Sequence, residues 1–236
     1  MATSGVYTIT VTGHALFTRV LKELGVLGAG ATAKSADITD IKETCNYWLL
    51  SLNGQPNTLR PAEMMWTRES GTLTLSTSSA SYDLKPSGGD LAVQIPSAIH
   101  SVLYRDSDGN DSLMDSMTWD EYQAIYDKDG TGTPQKYHYQ RRDDTGKLYL
   151  DVVPDTANSL IINYQQPLEI IDDTANEFDC DSSWYLALLY NIAYHCTGVF
   201  QVAMDKTADV KVKAAEALKV VADTTPDDTE ICMRPA

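Results

Sequence analysis

Two acidic stretches, Asp106-x-Asp108-Gly109-Asn110-Asp111 and Asp127-x-Asp129-Gly130, have the residue types that wrap a hard cation: closely spaced carboxylates beside a glycine. Neither places glycine sixth and glutamate twelfth, as an EF-hand loop does. Asp and Gly are also what tight turns require for local hydrogen bonds and positive φ, so both are expected to be turns and no metal is expected. His14, His100, His138 and His195 are scattered over different segments, outside any HExxH or GxSxG pattern, and are expected to be structural. Tyr137, Tyr139 and Tyr149, with Arg141 and Arg142 beside them, could stack bases or sugars; alternation along a strand pair produces the same pattern by cross-strand packing, the expected outcome. No cofactor motif is present, no catalytic residue is assigned, and the chain is not expected to be an enzyme. With 33 carboxylates some pair must approach in space, which leaves a glycosidase-like acid and base open.

These side chains must be positioned by elements whose order is itself informative. Val6-Tyr7-Thr8-Ile9-Thr10-Val11 alternates β-branched and polar residues, the pattern of a strand-like arm or a frayed terminus. Residues 1–12 are therefore read as an N-terminal arm, with Val6, Tyr7, Ile9 and Val11 as candidate contacts to a neighbouring subunit. From Gly13 to Leu27, the residues Leu16, Phe17, Val20, Leu21, Leu24 and Leu27 share one helical face. A second helix over 35–53 aligns Ile38, Ile41, Cys45, Trp48, Leu49 and Leu52, with Ser35 as N-cap.

Near Met64 the period changes to about two. Residues 72–76 and 81–84 read as a hairpin, and 99–104 as a further strand. Thr118-Trp119-Asp120-Glu121 has capping-box spacing and predicts a short helix to about Tyr126. Residues 136–142, 147–152 and 159–164 read as an antiparallel meander. Trp184 to Val202 is apolar nearly all round and predicts the core helix, and 207–222 predicts a last helix with lysines opposite its apolar face. Residues 223–236, acidic and broken by Pro226 and Pro235, read as an extended tail.

Neither pair of helices can bury its apolar stripe alone, so the two ends must pack together. The expected fold is α+β: a helical bundle base formed by the N- and C-terminal helices (13–60 and 168–222), with an inserted antiparallel β domain (61–167). The 236 residues suffice for such a two-part chain. A balance of 18 basic against 33 acidic residues, net −15, argues against a protein that grips nucleic acid, although an acidic wall leaves a passing duplex free to slide. Cys45, Cys180, Cys196 and Cys232 lack metal-ligand spacing and are expected to be reduced. No basic, apolar leader opens the sequence and no run of about 18 apolar residues offers a membrane span, so production in the cytoplasm without membrane contact is expected.

In order and spacing, several passages resemble the head-to-tail adaptor proteins of tailed bacteriophages, specifically the tail accessory or packaged-DNA stabilisation family. They are Leu24-Gly25-Val26-Leu27, Leu73-Thr74-Leu75, Ser81-Tyr82-Asp83-Leu84, Gly89-Asp90 and Ile95-Pro96-Ser97-Ala98-Ile99. Met117-Thr118-Trp119-Asp120-Glu121-Tyr122, Thr133-Pro134, Leu148-Tyr149-Leu150, Val153-Pro154, Tyr164-Gln165-Gln166-Pro167-Leu168 and the run from Trp184 to Gly198 complete the set, which covers most of residues 13–222. The resemblance implies a structural connector at the head–tail junction of a virion, assembled in the host bacterial cytoplasm. It implies a ring of about twelve copies beneath the portal that extends the DNA channel, retains the packaged genome and docks a tail or nozzle protein. Its implied partners are further copies of itself, the portal, that tail component, and double-stranded DNA passing without sequence recognition. The C-terminal region commonly meets the portal in this family, which points here to Asp223, Pro226, Asp227, Glu230, Ile231, Met233 and Arg234. Two features depart from the family pattern: the strand-like arm, and Ser182-Ser183 where a proline often precedes the core helix.

Two other functions compete. The carboxylates and the aromatic middle would suit a virion-associated peptidoglycan or glycan hydrolase, and the tyrosine-rich strands a glycan-binding module.

Overall fold

A computed structural model describes residues 9–53 and 67–224. The fold is mixed α+β, and the chain divides into two compact units, one of residues 67–167 and one of the residues on either side of them.

The helical unit begins with α1 (Gly13–Leu24), opened by Thr12, whose Oγ1 accepts the Ala15 N–H at 3.3 Å. Gly25, one of the glycines that mark the end of this helix in the sequence, caps it at φ 77, a left-handed conformation open to glycine at no steric cost, so Leu27 of the apolar stripe lies beyond the helix. The Val26 and Leu27 N–H groups turn back onto the Leu21 carbonyl. Helix α2 (Ser35–Asn53) buries the six expected residues; Ser35 is its first helical residue rather than its cap. After a 3₁₀ turn (Ser182–Trp184), α4 (Tyr185–Cys196) buries Ala187, Leu188, Leu189, Ile192, Ala193 and Cys196. It stops six residues before the predicted Val202. Thr197 Oγ1 donates to the Tyr194 carbonyl at 2.7 Å, and Gln201 takes a positive φ of 49 that turns the chain toward α5 (Met204–Thr224).

Helices α1, α2 and α5 all pack on α4. One core runs through them, from the edge-to-face pair Phe17–Phe178 (6.0 Å) to Val210, Ala217 and Val221 of α5. The segment after residue 167 is fastened to α2 by two asparagines seven residues apart. Asn46 donates to the Ile171 carbonyl at 2.9 Å and accepts its N–H at 3.0 Å; Asn53 does the same with Leu168 at 3.2 and 2.7 Å. Each amide replaces a strand partner for backbone groups that would otherwise be unsatisfied.

The other unit contains β1 (Arg68–Thr74), β2 (Ser81–Leu84), β3 (Ala98–Arg105), β4 (Asp111–Leu113), β5 (Asp115–Ser116), α3 (Trp119–Ala124), β6 (Thr131–Gly132), β7 (Lys136–Arg141), β8 (Gly146–Leu150), β9 (Val153–Pro154) and β10 (Ser159–Gln165). Two four-stranded sheets, ordered β1-β10-β3-β4 and β2-β8-β7-β5, share one core of alternating residues that includes Leu73, Tyr82, Val102, Leu148 and Ile162.

Two strand pairings differ from the sequence expectation. β1 and β2 are not a hairpin: β1 pairs with β10, and β2 with β8 in the other sheet. The predicted meander is likewise divided, since β7 and β8 form a hairpin while β10 joins β1 and β3. Alternation specifies which face of a strand is buried but is indifferent to which sheet buries it. Most pairings are antiparallel; the two-residue pairs β5·β7 and β6·β9 are parallel.

Candidate functional site

An aromatic cluster on the outer face of the β7–β8 hairpin brings together the largest set of chemically capable side chains. The capping box builds it from the sequence upward. The Thr118 N–H donates to Glu121 Oε2 at 2.6 Å, and the Glu121 N–H donates to Thr118 Oγ1 at 3.2 Å, so six residues hold a helical turn. The same bond from the Thr118 backbone holds the Glu121 carboxyl below its ordinary range. This turn sets Trp119 against His138 (5.4 Å between ring centres), Tyr149 (5.5 Å) and Tyr122 (5.4 Å), with Tyr122 4.9 Å from Tyr149.

His138 and Tyr149 are direct cross-strand partners, which fixes their side chains on one face. His138 Nδ1 lies 2.9 Å from the Met117 carbonyl, which can only accept, so Nδ1 carries the proton. Arg142 donates to the Tyr149 hydroxyl at 2.7 Å and to Gln140 Oε1 at 3.0 Å. Lys128 sits 5.0 Å over the Tyr122 ring. Trp119 remains 37% exposed and Tyr126 projects fully into solvent. The arrangement is an aromatic platform with a cationic and amide rim, suited to stacking on a planar or apolar ligand face while hydrogen-bonding its edge.

The three tyrosines singled out in the sequence do not act together. Tyr149 joins the platform, whereas Tyr137 is buried in the core on the opposite face. Tyr139, on that same inner face, donates to the Pro96 carbonyl at 2.7 Å, and burial pushes its phenol well up. The two arginines share an open hollow bordered by Ile95 and Asp143, and of the two Arg142 also donates to the Tyr149 hydroxyl. What sequence reasoning missed was the partnership of Trp119 and Tyr122 with His138 and Tyr149. Its signal was available in the capping box at Thr118, which sets Trp119 and Tyr122 three residues apart on one face of a helical turn.

The acidic stretches are turns. Asp106 Oδ1 accepts from the N–H groups of Asp108 (2.9 Å) and Asn110 (2.8 Å), and Arg105 grips Asp111 through two bonds of 2.7 Å across the β3–β4 hairpin. Asp127 Oδ1 accepts the Asp129 N–H at 3.1 Å. The Asn110 side-chain amide, which donates to Asp106 Oδ2 at 3.0 Å, and then the Asn110 and Asp108 N–H groups hold the Asp106 carboxyl below its ordinary range, as Arg105 does the Asp111 carboxyl. Among the described residues no group of three or more His, Cys, Asp or Glu is arranged to hold a metal.

The other histidines are dispersed. His100 Nε2 meets Gln165 Oε1 at 3.0 Å, His14 is exposed, and burial lowers the pKa of His195, whose ring lies 6.3 Å from that of Trp48. Cys45, Cys180 and Cys196 are free thiols; burial pushes Cys45 and Cys180 up to about 12 and Cys196 to about 11. Cys232 lies outside the described residues.

Of the arm, Val6 and Tyr7 lie outside the described residues, Ile9 is 67% exposed, and Val11 packs against the helical core of its own chain. Asp223 is exposed in the last turn of α5, so the helix continues two residues beyond its predicted end at residue 222, into the predicted tail. Pro226, Asp227, Glu230, Ile231, Met233 and Arg234 lie outside the described residues. Among those described, no helix is long and apolar enough to cross a membrane.

No protein-family model matches the chain, and no curated protein matches it.

Proposed function

We propose that the chain is a structural head-to-tail adaptor of a tailed bacteriophage. In this role it forms a ring beneath the portal, extends the DNA channel, retains the packaged genome and docks a tail component. The observation that carries the proposal is the way the ordered motifs fall on the architecture. Leu24 to Leu27 closes α1, and Trp184 to Gly198 supplies α4, both in the unit made from the two chain ends. The motifs between them, from Leu73 to Pro167, fall in the contiguous unit of residues 67–167. Such a chain can devote one unit to ring closure and the other to the next component. The net charge of −15 supports a channel wall that repels phosphate and lets a duplex move.

Electron microscopy of the protein mixed with its portal tests the proposal. A closed ring stacked on the portal is the expected image; a monomer that ignores the portal overturns it.

The platform around Trp119 favours one second function, a glycan-binding module, because stacked aromatics rimmed by Arg142, Gln140 and Lys128 match the alternating apolar and hydroxyl faces of a sugar. Titration with cell-surface oligosaccharides, followed by Trp119 fluorescence, decides it: saturable quenching supports the module, and an unchanged spectrum removes it.

A further inference from the structure

An edge strand invites another chain unless it is guarded, and β1 carries no guard along most of its length. It ends its sheet: among the described residues its strand partner is β10 alone, along all seven of its residues. The Leu75 N–H donates to the Asn158 carbonyl and the Gln166 N–H to the Thr67 carbonyl, both at 2.8 Å, so the odd-numbered residues bond toward β10. Antiparallel pairing then turns the N–H and C=O groups of Ser70, Thr72 and Thr74 outward. Ser70-Gly71-Thr72-Leu73-Thr74 has no charge and no proline, in a chain of which 22% is charged. The other sheet edges are short or occupied. β4 has three residues and β5 two, and the Asp83 carbonyl of β2 accepts from the N–H groups of Asp90 at 2.8 Å and Leu91 at 3.2 Å. The two faces of β1 also differ. Leu73 and Leu75 are buried, and a half-buried Leu91 covers Gly71, where a Cβ would stand 3.1 Å from its Cδ2; Ser70, Thr72 and Thr74 are exposed on the opposite face.

The N-terminal arm has a matching character. Residues 1–12 hold no charged side chain and no proline, and Tyr7 and Ile9 alternate with Val6, Thr8 and Thr10. The root of the arm is fixed on its own copy: Thr12 caps α1 and pairs with Glu177, and Val11 packs on the helical core. Before that root, Ile9 is 67% exposed, and neither it nor Thr10 belongs to a strand of its own chain.

We infer that the arm of a second copy adds as a strand to the outer edge of β1, bonding the backbone groups of Ser70, Thr72 and Thr74. An extended chain supplies the N–H and C=O groups that this edge lacks, and alternation sorts the side chains. Tyr7 and Ile9 continue the face of Leu73 and Leu91, while Thr8 and Thr10 line up with Ser70, Thr72 and Thr74. Two uncharged strands suit this contact in a chain of net −15, whose copies otherwise repel one another. Arm and edge are different surfaces, so each added copy leaves one of each open. The contact therefore continues head to tail and closes into a ring where the rotation permits. The inference rests on the ring reading above and adds a tie to it, from the helical unit of one copy to the β unit of the next.

The test uses two variants of the whole chain. Deletion of residues 2–10 removes the arm and leaves Val11 and the Thr12 cap in place. Thr72→Pro removes an outward N–H and none that faces β10, so it blocks the edge. Sedimentation velocity is run on wild type, on each variant and on their equimolar mixture, alone and with the portal, and circular dichroism checks folding. Hydrogen exchange is followed across residues 70–74. Expected is an oligomer for wild type with slow exchange in that stretch, and loss of both in the arm deletion. Thr72→Pro should also lose the oligomer, and the mixture should stop at one-to-one pairs, since it offers one intact arm and one intact edge. An arm deletion that assembles as wild type does, or an assembled wild type with fast exchange at 70–74, overturns the strand contact while the ring reading stands; this arm of the test decides alone should Thr72→Pro misfold. With both variants folded, a mixture that stays monomeric or grows beyond pairs overturns it too. A wild type monomeric both alone and with the portal overturns both readings.

Discussion

The two units close themselves in different ways. The unit of residues 67–167 is continuous in sequence and its ends meet: β1 pairs with β10 from Arg68↔Gln165 onward, the Gln166 N–H donates to the Thr67 carbonyl at 2.8 Å, and Gln165 hydrogen-bonds the Thr67 hydroxyl. The helical unit is assembled from segments more than a hundred residues apart, with Asn46 and Asn53 of α2 holding the backbone of Ile171 and Leu168. Its α4 has no core without α1 and α2, and they have none without it. The β unit thus resembles an insertion that seals its own boundary, while the helical unit depends on that boundary being sealed, because the closed unit brings the two ends into reach.

The largest test of this difference is Phe17→Ala, a fully buried ring packed edge-to-face on Phe178. It should destabilise the helical unit by about 3–5 kcal/mol. Hydrogen exchange should show lost protection in α1, α2 and α4 with β8 and β10 unchanged; equal loss in both units would erase the distinction.

Alkaline titration comes next. The raised Cys45, Cys180 and Cys196 pKa values mean that the folded helical unit holds thiol protons that the unfolded chain releases near 9. Their contribution is therefore intact below pH 9 and is lost as pH rises toward about 12. In the β unit the buried phenols Tyr82, Tyr137, Tyr139 and Tyr164 are also raised, from 10, so its losses begin higher. Helix exchange protection should fall at lower pH than strand protection, and the reverse order would contradict these burials.

Gly146→Ala should act on the β unit alone. A Cβ there would stand 2.5 Å from the Tyr139 hydroxyl and 2.9 Å from its ring, a clash that costs about 1–3 kcal/mol on thermal melting. Adding Tyr139→Phe should recover part of that loss, and strictly additive effects would refute the clash.

The smallest change, Thr118→Ala, removes one half of the capping box and should cost about 1 kcal/mol. It should loosen the platform without touching either core. Red-shifted Trp119 fluorescence at an almost unchanged melting temperature is the expected result; an unshifted spectrum would separate the cap from the platform.

Much of this was legible because the controlling interactions are short in sequence. The α1 stripe as far as Leu24, the six buried residues of α2, the capping box at Thr118 and the β7–β8 hairpin each depend on neighbours within a turn or a strand, and each forms as read. The platform was half legible: Tyr149 and Arg142 were noticed, but with Tyr137 and Tyr139, which alternation and register send to the core. Helix length failed at α4 because apolar composition continues past Cys196, while the backbone there is already turning through Thr197 and Gln201.

By itself the sequence determined the mixed α+β class, the kind of each long element and the face each helix buries, since period and caps are local properties of the chain. Only the tertiary structure decided that β1 and β2 belong to different sheets, that Trp119 meets Tyr149, and that two asparagines of α2 receive the chain after residue 167. Each of these joins residues that are far apart along the chain. A one-dimensional pattern specifies which surface seeks a partner but leaves the partner to three-dimensional packing.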